Sequence, residues 1–348
     1  MIKKFAVITG VLLLVAVVAA TGCPPQAEPA TPADFYKGKT IDLIISAAPG
    51  TDEDLITRII APYLGGDTGA SVVVTNRVGA GGLDAMNYVY KSKPDGLTLG
   101  TAPTAKFVPN KVFNEPAAIY EIENFSYIIS IGRVQYYFLV APDGPCQSVA
   151  DLQAATDLKI GGSSPSGSIC LSGLTVIKLL GLDAKVITGL SGDSNRALAA
   201  KRGEIIGYCS NIPSAKASLE AGMVKPLFVL ATERDPLTPD VPAITEVVNM
   251  GGEDLALVKL WETTFFNSTL LVAPPGIAED RLRYLRDLAN QWVQDEGFRE
   301  GINAVSGYEL QDQEYIAGEE VTKVMLDLAA AFDEFRAIFL ELIEKYRA

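Results

Sequence analysis

The chain has 348 residues, 48% of them hydrophobic and 20% charged, an ordinary globular composition long enough for two hydrophobic cores rather than one. Its formal net charge of −13 repels phosphate backbones and anionic lipid heads, and no block of Lys or Arg offsets that field locally, which argues against nucleic-acid binding. Histidine is absent, which removes the commonest general base near neutral pH and the commonest transition-metal ligand, so neither a metal nor a cofactor is expected.

Met1 to Lys4 make a short positive start, residues 5–20 an apolar run, and Ala20-Thr21-Gly22-Cys23 a stretch of small residues ending in cysteine. This layout predicts a secretory signal over residues 1–23. The apolar run is short for a spanning helix, which needs about 20 residues, and no basic stop-transfer cluster follows it; a spanning anchor is the alternative. The ending resembles a bacterial lipobox, with Ala20 where leucine is more usual. It implies that Cys23 is lipidated and anchors an extracytoplasmic protein to the membrane. Residues 24–34 are too rich in proline to fold and predict a tether, with the folded part beginning near Phe35.

From Thr40 onward the pattern alternates strand, turn and helix, as in a parallel α/β sheet. Strands are expected over residues 41–45, 71–75 and 97–100, and helices over 55–64 and 83–91. Residues 125–130 and 136–141 are β-rich, and Pro142-Asp143-Gly144-Pro145 marks the expected crossing into a second lobe. There the alternation restarts, with strands over 158–161, 184–187, 204–209 and 226–231 and helices over 169–180 and 195–201. A β-rich segment within 261–273 returns the chain, and amphipathic helices over 278–294, 296–304 and 319–346 close it. The expected architecture is a two-lobed α/β protein: residues 35–140 with 265–348 in one lobe, 141–264 in the other, and a ligand cleft between them.

In open parallel sheets the ligand lies beyond the carboxyl ends of the strands, where loops lead into helix amino termini with unused N–H groups. Loops 47–52 and 76–82 in the first lobe, and 161–168 and 189–193 in the second, occupy that place. Glycines there let a backbone approach a ligand, and serines add hydroxyl donors. Any one of these loops by itself reads better as a tight turn, but four together, two per lobe, describe a cleft.

These residues also carry a resemblance. Asn76-Arg77-Val78-Gly79-Ala80-Gly81-Gly82, followed by Pro94-Asp95-Gly96-Leu97-Thr98-Leu99, is similar to the NRPGAGG and PPDGYTLL motifs of the tripartite tricarboxylate transporter receptors, the Bug or TctC family. Weaker echoes stand at residues 239–246 and 272–276. The resemblance implies a periplasmic receptor of type II binding-protein fold, acting as a monomer, which closes on a small organic acid and hands it to membrane permease subunits. It places ligand contacts at Ala48, Pro49 and Gly50 and at Gly79, Ala80 and Gly81; Thr51, beside the first loop, and Thr104, after the third strand, are further candidates. In the second lobe it places them at Ser166, Gly167 and Ser168, and at Gly192 and Asp193.

One departure stands out: where the family has glycines and a small polar residue, this chain has Thr51, Asp52 and Glu53. Two carboxylates disfavour an anionic ligand. Either they point to solvent, their commoner fate, or the ligand carries an amine or is neutral. A receptor that presents its closed form to a membrane sensor, rather than to a permease, is the alternative partner.

With Cys23 lipidated, Cys146, Cys170 and Cys209 remain, enough for one bridge. Cys170 and Cys209 are the expected pair, since a helix start and the end of a neighbouring strand meet at the cleft rim; the alternative is three small buried thiols. Catalysis is not expected: nucleophile–histidine pairs are impossible, and Gly189-Leu190-Ser191-Gly192-Asp193 lacks the final glycine of a nucleophile elbow.

Overall fold

The structure, a computed structural model, describes residues 31–266, 269–309 and 311–346, so the leader and Cys23 lie outside the described residues. The chain enters through α1 (Pro32–Tyr36), a short helix with proline at its first position and the Thr31 hydroxyl accepting the Asp34 N–H. Part of the expected tether is therefore folded.

Three βα units follow: β1 (Thr40–Ile45), α2 (Asp52–Thr68), β2 (Ser71–Asn76), α3 (Leu83–Lys91), β3 (Thr98–Pro103) and α4 (Thr104–Val112), then β4 (Ser126–Ile131). The second run comprises β5 (Tyr136–Val140), α5 (Val149–Ala154), β6 (Leu158–Gly161), α6 (Ser168–Leu180), β7 (Ala184–Ile187) and α7 (Asp193–Lys201). It continues with β8 (Gly207–Asn211), α8 (Ile212–Glu220), β9 (Lys225–Val229), the single turn α9 (Ile244–Val247) and α10 (Gly252–Phe266). The chain ends with β10 (Thr269–Ala273), α11 (Glu279–Trp292), α12 (Glu296–Ser306), β11 (Tyr315–Ala317), α13 (Gly318–Glu334) and α14 (Arg336–Tyr346).

The strands form two sheets, ordered β11-β4-β10-β3-β1-β2 and β7-β6-β8-β5-β9. In each, the βα strands are parallel and the strands that cross between lobes pair antiparallel: β10 with β3 and β4, β5 with β8 and β9. Central strands such as β5 and β10 are buried along their whole length, as expected of strands covered on both faces, whereas the edge strand β2 is nowhere fully buried.

Two expectations about the chain path change, and a third is sharpened. The first crossing lies between Ile131 and Tyr136, not near Pro142, because β5 pairs within the second sheet. The β-rich segment expected within 261–273 is β10, Thr269–Ala273, which returns the chain to the first sheet, while residues 261–266 belong to the helix before it. Trp261 and Phe265 of α10 are both buried, and a short Val/Trp/Phe-rich run does not by itself separate a buried helix from a strand. Finally, α14 lies against α6 and β7 of the second lobe rather than within the first. Behind the crossings Trp261, Phe332 and Phe339 pack edge-on, and the Trp261 indole donates to Thr175 Oγ1 at 2.9 Å, so α10, α13 and α14 share one core with α6.

The expected disulfide is also corrected: no bridge joins Cys170 and Cys209. Cys170 packs over the Gly162 backbone, while Cys209 lies beside Ser172 of α6 with burial pushing its thiol up to about 12. Both side chains are sealed in the apolar layer under α6 and face different neighbours, so they behave as small hydrophobes.

Candidate ligand-binding site

Between the two sheets lies a cavity of about 110 Å³, lined by the loops at the carboxyl ends of β1, β2 and β3 and of β6, β7 and β8. Val134, Tyr136 and Phe265 form its apolar floor beside the crossings, with the last two rings at 3.9 Å between centroids.

On the first lobe, Thr51 caps α2 and the first turn carries Asp52, Glu53 and Asp54. These carboxylates do not point to solvent. Asp54 is buried and accepts the Gly50 N–H at 2.9 Å, the Asn76 amide at 2.9 Å and the Arg58 guanidinium. Burial opposes its charge, but Arg58 and these donors outweigh it and hold its carboxyl below the usual range. Glu53 is 1% exposed and accepts from the Ser46 N–H and hydroxyl, both at 2.9 Å, and from Thr101 at 3.3 Å. Burial dominates there and pushes its carboxyl up to about 7, against the pull of Lys106. Asp52 is half-buried and bridges the cleft, accepting the Ser214 hydroxyl of the second lobe at 2.9 Å. Glu53, Asp52 and Lys106 all line the cavity. The helix start is thus filled by the chain's own acids, and the Gly50 N–H is not offered to a ligand.

The glycine-rich loop after β2 is held from behind. Asn76 donates to the Ala47 carbonyl and to Asp54, and Arg77 pairs with Asp84 at 3.0 Å over the Tyr88 ring. Only Val78 and Gly81 of this loop reach the cavity. Gly81 has φ of +68°, and an added Cβ would stand 2.6 Å from Ser164 Oγ across the cleft. Gly81→Val is therefore expected to lower ligand affinity about tenfold or more, through a strained left-handed turn and a blocked approach of the lobes. Ser164→Gly in the same chain should recover part of it. Calorimetric titration checks this, and an unchanged affinity would mean that these loops do not meet in the bound state.

On the second lobe, Gly192 starts α7 and Asn211 caps α8, its side chain accepting the Ser214 N–H at 2.8 Å. Arg196, in the first turns of α7, lines the cavity at 5% exposure. Its guanidinium donates to the Leu190 carbonyl at 3.1 Å, lies 3.7 Å from Asp193 and sits over the Tyr208 ring, while its Nε–H has no protein partner. Asp193 stands behind the wall, accepting the hydroxyls of Tyr208, Ser210 and Ser218.

Of the positions singled out in the sequence, Ala48, Thr51, Gly81, Ser168 and Gly192 line the cavity. Pro49, Gly50, Gly79 and Ala80 are exposed outside it, because their loops turn away after the strand ends. Ser166 donates across the cleft to Glu115 at 3.4 Å, Gly167 caps α6, and Thr104 is fully buried with its hydroxyl unpartnered, its neighbours Ala105 and Lys106 facing the cavity instead. Lys106 and Arg196 were missed. Each falls in the opening turns of a helix that follows a strand of the parallel set, which is the signal that marks them.

Two lobes of βα units with a polar cavity beyond their strand ends are the architecture of a periplasmic binding protein. Solved structures share this fold at low identity. One titled R. palustris Rpa4515 with adipate overlaps with a TM-score of 0.72 at 20% identity, over 89% of this chain and 99% of that one. MatC (Rpa3494) from Rhodopseudomonas palustris with bound malate gives 0.70 at 21%, over 85% and 98%. In sequence, a UPF0065 protein of Bordetella pertussis is 30% identical over 73% of this chain and 76% of its own length. Protein BugT of the same organism is 24% identical over 62% and 68%. The family model described as tripartite tricarboxylate transporter family receptor matches residues 56–316. The chain belongs to that family, as the Asn76–Gly82 and Pro94–Leu99 motifs implied.

Proposed function

We propose that this chain is an extracytoplasmic receptor that closes its lobes on a small organic acid and delivers it to a permease of the tripartite tricarboxylate type. The observation that carries this reading is Arg196, a nearly buried guanidinium on the cavity wall with a donor left over, among the amino termini of α6, α7 and α8. A carboxylate pairs with that guanidinium and with the positive ends of the helices. The malate and adipate of two solved structures with this fold belong to the same ligand class. Direct contacts across the cleft, Asp52 with Ser214 and Ser166 with Glu115, support binding by closure without chemistry. Anchoring through Cys23 and action as a monomer complete the proposal.

Thermal unfolding against a panel of mono- and dicarboxylic acids and amino acids tests it. A ligand that binds only the folded state, at about 100 times its Kd, adds about 2.7 kcal/mol and should raise the midpoint by about 5 °C. A panel with no shift would remove the main support for the reading.

A further inference from the structure

We infer that the cavity selects a small zwitterion: an ammonium group held in the first lobe between Asp52 and Glu53, and a carboxylate held in the second lobe by Arg196. This rests on the receptor reading above and narrows its ligand class.

The cavity carries opposite charge on its two sides. Asp52 and Glu53 face it from α2, and the only cation beside them among the described residues lining the cavity from that lobe is Lys106, so the first lobe keeps an excess of one negative charge. Glu53 has acceptor capacity to spare. Its Oε1 takes the Ser46 N–H, the Ser46 hydroxyl and Thr101, whereas Oε2 takes only the Ser46 hydroxyl, at 3.1 Å. On the other side, Arg196 lines the cavity at 5% exposure, the only cation among the described residues that line it from the second lobe. With Glu53 ionised, as at pH 8, Asp52 and Glu53 balance Lys106 and Arg196 across the lining, and Asp193 stands behind Arg196 at 3.7 Å. A dianion meets no net positive charge here and would set its second carboxylate against Asp52 and Glu53, whereas a zwitterion matches both sides. The small cavity leaves a short carbon skeleton between the two charges, against Val134, Tyr136 and Phe265. Burial, which raises the Glu53 carboxyl to about 7, adds a titration that a bound ammonium must oppose.

The test is calorimetric titration of the purified full-length chain with matched pairs: L-aspartate against succinate, L-glutamate against glutarate, and L-alanine against propionate, at pH 8 and pH 6. At pH 8 the amino acid of at least one pair should bind tenfold or more tighter than its deaminated partner. Its affinity should fall toward pH 6 as Glu53, faced by Lys106 and Asp52, takes up a proton in competition. Glu53→Gln, which keeps an acceptor for Ser46, should erase the preference. Should that variant fail to fold, the pH comparison on the unaltered chain decides: an amino-acid affinity that rises toward pH 6 overturns the inference. If in every pair that binds the deaminated acid binds as tightly as its amino partner, the inference is overturned and the organic-acid reading stands. If no member of any pair binds, both readings fall.

Discussion

Glu53→Gln should stabilise the ligand-free chain by about 3 kcal/mol at pH 8 while changing little near pH 4.5. The Glu53 carboxyl rises from an ordinary 4.5 to about 7 in the folded chain, chiefly through burial. Each pKa unit corresponds to about 1.4 kcal/mol, which sets the size of the effect. A raised folded-state pKa means that the native state binds the proton more tightly than the unfolded one. The contribution of Glu53 is therefore fully present below its unfolded value and is lost as pH rises through 7. Glutamine is uncharged at every pH and retains an oxygen for the Ser46 donors, so it escapes that loss. Asp54 works in the opposite direction: its lowered carboxyl adds stability above the ordinary aspartate range and loses it as acid is added. Comparing the variant with the unaltered chain by urea unfolding at both pH values isolates Glu53, since the Asp54 contribution is common to both. Parallel stability profiles would mean that Glu53 is hydrated in solution and does not lie where the fold places it.

Arg196→Met should lower the affinity for the captured acid about 100-fold and destabilise the ligand-free chain by about 3 kcal/mol. The affinity loss follows from removing a nearly buried charged donor to a carboxylate, an interaction worth about 2–5 kcal/mol. The stability loss has a separate origin. Asp193 is 6% exposed and would keep a buried negative charge without its cation. Breaking a buried pair in that way costs about 3–5 kcal/mol. The hydroxyls of Tyr208, Ser210 and Ser218, at 3.0, 2.7 and 3.1 Å, still solvate the carboxylate and place the expected value at the low end. Adding Asp193→Asn to Arg196→Met should restore most of the stability and little of the affinity. Recovery of both would show that Arg196 only supports the wall and does not touch the ligand.

The two effects share a design. Three of the charged residues that line the cavity are held by partners in the protein: Glu53 by Ser46, Arg196 by Leu190 and Asp193, and Asp52 by Ser214. That arrangement fixes the charges before a ligand arrives, which reduces the ordering required on binding. The Asn76 and Arg77 side chains serve the same end from further out. They lock the glycine-rich loop to α2 and α3 and leave only Val78 and Gly81 at the cavity. The best-marked motif of the chain is thus largely a scaffold for the site.

The βα alternation, the two lobes and the loops that surround the cleft are legible in the residues alone. Strands such as β1 and β6 and helices such as α2 and α6 follow from side-chain periods of two and 3.6 residues, and Pro, Gly and capping residues mark their ends; these signals act within one short segment. Which side chains enter the cavity is settled only when the chain is folded. Nothing local distinguishes Glu53 from a solvated first-turn acid; its burial comes from the loop folding back to bring Ser46 over it and from β3 adding Thr101. Lys106 and Arg196 reach one cavity because the sheets face each other, although they stand in separate lobes. The crossing between Ile131 and Tyr136, and the docking of α14 on the second lobe, depend on which sheet edge was open to a returning segment. Burial and charge pairing are set by what covers a residue, and that cover comes from chain far away in sequence.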